Sequence, residues 1–217
     1  IKKPDSMPDS MPDSMPDSMP DSIPDSIADA VKVDGRRLRS DRSRQVIIQS
    51  MLQLIKEGNL VPTAQQVADH ANVGIRSVFR HFEDMESIFA TGDELLRDDF
   101  ANINNQIDHN GTLQERIRGA ADYHANLYET ASNVMRSTNT RRWNSEVLQT
   151  NYAKYQRKIR SDLDLRLPEL SNLSPSKREA ADGIASFEFW DRLRDNQSMS
   201  VTASTDIVVE MLNAILG

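Results

Sequence analysis

From residue 46 onward, apolar residues recur at spacings of three and four, the period of helices rather than strands. Val46, Ile47, Met51, Leu54 and Ile55 form a first stripe, closed by Glu57-Gly58-Asn59 with the glycine as C-cap. Pro62-Thr63 starts a short second helix, with Thr63 as N-cap and Val67 and Ala71 on one face. Asn72 occupies the turn that follows, and Asn is one of the few residues besides Gly that tolerates a left-handed backbone. Val73 and Val78 supply the apolar contacts of the turn and of a third helix. A long helix over 83–107 carries Ile88, Phe89, Leu95, Leu96, Phe100 and Ile103 and ends at Asn110-Gly111. Leu113, Ile117, Ala120, Ala121, His124, Leu127 and Tyr128 mark the next, followed by a short helix or turn over 132–140. Leu148, Tyr152, Tyr155, Ile159 and Leu163 mark another, ended by Pro168. Ser174-Pro175-Ser176 starts a helix that takes in Ala180, Ile184, Phe187, Trp190 and Leu193 and stops at Arg194-Asp195-Asn196. The last runs over 203–216 with Ile207, Val208, Met211, Leu212 and Ile215. The fold class is therefore all-α, with about nine helices.

The first thirty residues follow a different rule. Pro-Asp-Ser recurs six times, at Pro4, Pro8, Pro12, Pro16, Pro20 and Pro24, with Met or Ile at the fourth position. A proline every fourth residue forbids a stable helix, so residues 1–34 read as a disordered low-complexity tail. A basic run follows: Arg36, Arg37, Arg39, Arg42 and Arg44. Placed before the first helix, it is expected to act as an arm, reaching a minor groove or touching phosphates.

Residues 63–82, TAQQVADHANVGIRSVFRHF, have the layout of a helix-turn-helix. Gly74, Ile75, Arg76, Phe79 and Arg80 fall on the face of its second helix opposite Val78. With the apolar helix before it and GIRSVFRHFEDMESIF at its end, this stretch resembles the tetracycline-repressor (TetR) family. Thr63, Val67-Ala68, Ala71, Val73, Ser77-Val78, Arg80-His81-Phe82, Glu86 and Ile88-Phe89 match that family's pattern. Gly74 stands where Ser or Thr is usual, Arg76 where a small residue is, Phe79 for Tyr, and Met85 for Lys. The resemblance implies a DNA-binding head over 35–82 and a helical effector-binding and dimerisation body over 83–217.

On that reading Arg76 and Arg80 reach base edges and phosphates and Ile75 meets a thymine methyl. Thr63, Ser77 and His81 are phosphate contacts, with Gly74 and Phe79 on the same DNA-facing surface. The resemblance also implies an effector cavity in the body. Its candidate lining is Tyr123, His124, Tyr128, Met135, Trp143, Tyr152, Tyr155 and Phe187, residues that serve equally well as core. The last two helices are expected to pair with their two-fold mates in a homodimer. Its half-sites on a double-stranded operator would lie roughly 34–36 Å apart.

Composition agrees with these expectations. The net charge is −7, yet residues 31–82 hold nine basic side chains against four acidic ones, so positive charge gathers where phosphates would be neutralised. There is no cysteine, hence no disulfide framework. No apolar run approaches the roughly 20 residues that span a bilayer, and a cytoplasmic location without membrane association is expected. The chain begins at Ile1 rather than methionine, as a fragment or processed product would. No Gly-rich phosphate loop stands in the chain. His70, His81, His109 and His124 are scattered, so no catalytic residue, metal or cofactor is expected. The sequence thus reads as a ligand-responsive regulator, a repressor released from its operator when a small molecule shifts the population of two states. The alternative is a helical ligand-binding or protein-interaction module that has lost specific DNA binding.

Overall fold

The computed structural model describes residues 25–101 and 111–217, and these form nine α-helices with no strand. The Pro-Asp-Ser repeat up to Pro24, and Ile103 with the end of the 83–107 helix, lie outside the described residues. The chain divides into two compact units, Ile1–Asp41 and Arg42–Gly217.

Helix α1 spans Asp25–Lys56. It therefore begins inside the stretch expected to be a disordered tail, once the last proline of the repeat has passed. It also takes up the whole arginine run, which is helical rather than an extended arm. Its end is fixed by Gly58, whose φ of 101° is open to glycine alone at little strain. Gly58 and Asn59 donate to the carbonyls of Ile55 and Leu54 at 2.9 and 3.0 Å, the paired bonds of a Schellman cap.

The second unit contains α2 (Ala64–His70), α3 (Ile75–His81) and α4 (Met85–Ala101). Their common core holds Ile47, Met51, Val67, Val78 and Ile88, all essentially inaccessible. Each fully buried aliphatic of this size contributes about 1.5–3 kcal/mol. Gly92 lets α4 cross α1 closely, since a Cβ there would stand 2.6 Å from Met51 Cε.

Helix α5 spans Leu113–Arg141, started by a Thr112–Glu115 capping box. It is one continuous helix where the sequence suggested a separate turn over 132–140. Val134 and Met135 continue its apolar face, and polar residues around them bond within the helix and to neighbours. Thr130 and Thr140 return their hydroxyls to the carbonyls of Asn126 and Arg136. Helix α6 (Glu146–Arg166) begins at the Ser145 cap, and a 3-10 turn over Pro168–Asn172 leads to α7 (Pro175–Ile184).

The helix expected from Ser174 to Asn196 is broken. Helix α8 is only Phe187–Asp191 and runs into a π turn over Arg192–Asn196. Ser186 causes the break by capping Phe189 N at 3.3 Å while donating to Gly183 O at 2.6 Å. The Tyr128 hydroxyl takes up the Ala185 carbonyl at the break, at 2.6 Å. Helix α9 (Val201–Leu216) packs along α5.

Helix α5 also holds the chain at and beyond the end of α1. Asn133 Nδ2 donates to Lys56 O at 2.9 Å and Ser137 Oγ to Leu60 O at 2.6 Å. Within 83–217, the Arg141 guanidinium lies 3.6 Å from the Phe89 ring centre, and Ser145 Oγ donates to Glu86 at 2.5 Å, which ties α5 and α6 to α4.

Candidate nucleic-acid interface

The geometry of α2 and α3 starts from two local devices. Thr63 caps α2, its hydroxyl accepting from Gln66 N while Gln66 Oε1 accepts from Thr63 N at 2.8 Å. Asn72 then turns the chain with φ of 53°. Asn72 and Val73 donate to the carbonyls of Asp69 and Ala68, closing α2 with the same paired bonds that close α1. Val67, Ala68 and Val78 are fully buried, which locks the two helices together.

What remains faces outward. Gly74, Ile75, Arg76, Phe79 and Arg80 are all exposed, as the spacing required. Ile75 and Phe79 are 38% and 49% exposed, high for large apolar side chains in so short a helix. Arg80 Nη2 approaches Ser77 Oγ at 3.4 Å, placing a donor fork beside a hydroxyl. Gly74 caps α3 with its backbone alone, so no side-chain hydroxyl stands at this end.

Other candidates are placed less freely. Arg37, Arg39 and Arg42 are exposed on α1, as is Arg44, and Arg36 lies on the same helix. Arg39 Nε is bonded to Gly35 O at 2.9 Å. Arg44 is committed to the protein: it donates to His81 O and Thr91 Oγ1, each at 3.3 Å, and covers the Phe82 ring. The Thr63 hydroxyl serves the cap. His81 is half-buried, and burial with the nearby Arg80 and Arg44 charges lowers its pKa. It therefore stays neutral at pH 7.

The candidate effector residues separate into three groups. Met135, Tyr152 and Tyr155 line a cavity of about 40 Å³ between α4, α5 and α6. His124, Tyr128 and Phe187 are instead core, the Tyr128 ring centre lying 5.6 Å from those of both His124 and Phe187, and Tyr123 packs at that core's edge. Burial and the Arg166 charge lower the His124 pKa to about 4. Trp143 is 69% exposed, its ring covered by Arg142, and stands outside this cavity's lining. Asp93, Leu96, Val134, Thr138 and Asn151 complete the cavity wall. Asn151 lies on the apolar stripe of α6, between Leu148 and Tyr155, and Asp93 on that of α4, between Phe89 and Leu96. A polar residue interrupting a core stripe was the readable signal. The space suits a water-sized group rather than a drug-sized ligand, so an effector would have to part these helices.

A solved structure now provides a comparison. The chain is similar to a transcriptional regulator from Rhodococcus sp. Rha1, with a TM-score of 0.61 and 16% identity. The match covers 82% of this chain and 95% of that one. The likeness is one of fold. No protein-family model and no curated relative matches the chain. Among the described residues, no group of three or more His, Asp or Glu could hold a metal ion, and no helix is long and apolar enough to cross a membrane.

Proposed function

We propose that this protein is a sequence-specific DNA-binding transcriptional regulator of the kind the TetR resemblance implies, acting as a repressor released by a small molecule. The observation that carries this is the α3 face. Ile75, Arg76, Phe79 and Arg80 stand exposed on a helix whose other side is locked into a core. A short helix so presented fits a major groove, where Arg reads guanine and apolar groups read the thymine methyl. The regulator fold of the Rhodococcus neighbour supports the reading.

Dimerisation through the last helices completes it. Val201 and Met211 of α9 are exposed, an apolar surface suited to a two-fold mate. Effector response would run through α5. Val134, Met135 and Thr138 line the cavity, while Asn133 and Ser137 on the same helix hold the head. A ligand that parts α4, α5 and α6 would change how the head is held and so the spacing of two heads on DNA.

The second reading, a helical binding module without specific DNA recognition, draws on the uncapped Gly74 and the hydroxyl-free Phe79. Selection of bound sequences from a random duplex library at near-physiological salt separates the two. A palindromic site recovered by the natural protein and lost in Arg76→Ala supports the regulator. Equal weak binding by both proteins would overturn it.

A further inference from the structure

Arg166, at the end of α6, is the one buried arginine among the described residues, 8% exposed. Its guanidinium lies 3.6 Å from the Tyr123 ring centre, which fixes the plane of the group. Nε and Nη2 are both inaccessible, and neither has a hydrogen-bond partner. These two N–H groups form one edge of the guanidinium and point in parallel, the pair that meets both oxygens of a carboxylate. The acid one turn earlier is committed elsewhere: Asp162 accepts from Tyr123 OH at 3.2 Å and from Lys158 Nζ at 3.1 Å. His124, also buried, has its Nε2 without a partner in the same cluster.

A buried guanidinium edge with nothing on it is strongly unfavourable, because the charge has lost water and gained no acceptor. Groups left in that condition in a folded protein are expected to meet a ligand or ordered water. We propose that the Nε–Nη2 edge of Arg166 is a binding subsite for the carboxylate of a small organic acid, with the Tyr123 ring as its supporting wall. That such an acid is the effector rests on the regulator reading above. The subsite itself does not, and its test involves no DNA.

The test follows the Arg166 Nε–H resonance in arginine-labelled full-length protein, assigned through the Arg166 backbone. Sodium acetate should shift it saturably, and acetamide should bind at least tenfold more weakly because it lacks the charge and one acceptor. Arg166→Lys, followed through the Tyr123 backbone amide, should lose the acetate shift that this amide shows in the natural protein. Asp162→Asn should keep or strengthen it, since a competing carboxylate is gone. The proposal is overturned if acetate does no more than sodium chloride at equal ionic strength, or if acetamide acts equally. It also fails if inorganic phosphate alone shifts the resonance, or if Asp162→Asn displaces it without ligand, which would make Asp162 its partner. The acetate and acetamide titrations of the natural protein need no variant, so the result stays readable even where Arg166→Lys fails to fold.

Discussion

The helices up to Phe82 and those from α5 onward, the head and the body of the proposed regulator, solve the same problem, holding helices together, by different means. In the head the decisive devices are local: Gly58 and Asn72 end helices through positive φ, and Thr63 starts one through a capping box. In the body the decisive contacts are distant in sequence. Tyr128 reaches Ala185, Trp190 Nε1 donates to Glu129 at 3.0 Å, and Arg136 pairs with Asp191 at 2.6 Å. A head so built can leave one face bare for another molecule. A body so built spends Tyr128, Phe187 and Trp190 on its own packing.

The sharpest way to break this comparison is in the body. Phe187→Ala should cost about 3–5 kcal/mol of stability, because Phe187 is 1% exposed and wedged against Tyr128. Denaturant unfolding checks it, and a loss below that range would show Phe187 to be peripheral. Acid should act on the same core. His124 is buried neutral with its pKa at about 4, below the ordinary 6.5, so the unfolded chain takes up the proton first. Stability is then complete above pH 6.5 and falls as pH drops toward 4, by up to roughly 3 kcal/mol. Unfolding midpoints at pH 7 and pH 5 read this, and equal midpoints would remove His124 from the account.

The head should respond differently. Arg76→Ala should weaken binding to a selected site by about 1–3 kcal/mol while leaving the unfolding midpoint unchanged, since the side chain is exposed. Gly58→Ala should cost about 1–2 kcal/mol of stability through its positive φ. Smallest of all, Gly74→Ser should gain a few tenths of a kcal/mol by supplying the missing cap. A destabilised Gly74→Ser protein would mean that α3 starts elsewhere.

The same contrast explains what the sequence made readable. Helices α2 and α3, their turn and their exposed face follow from residues within a few positions of one another. Ser186 makes its break with neighbours three residues away, but the carbonyl left there is taken up by distant Tyr128, and α5 near residue 137 is held by distant Leu60. Periodicity cannot show those. Arg44 looked like part of a free arm because nothing local shows that Phe82 and Thr91 would claim it. Aromatic spacing did not separate cavity from core, whereas Asp93 and Asn151, polar on apolar stripes, marked the cavity wall.

The joint between α5 and the head has a consequence for how such a molecule diversifies. Asn133 and Ser137 grip the main-chain carbonyls of Lys56 and Leu60, not side chains. Those carbonyls are present whatever amino acids the head carries. The surface of α3 can therefore drift or be exchanged while the connection to the body stays as it is. A graft of foreign residues onto that surface leaves the joint's hydrogen bonds untouched, so under the proposed function a new specificity needs no rebuilt connection to the rest of the molecule.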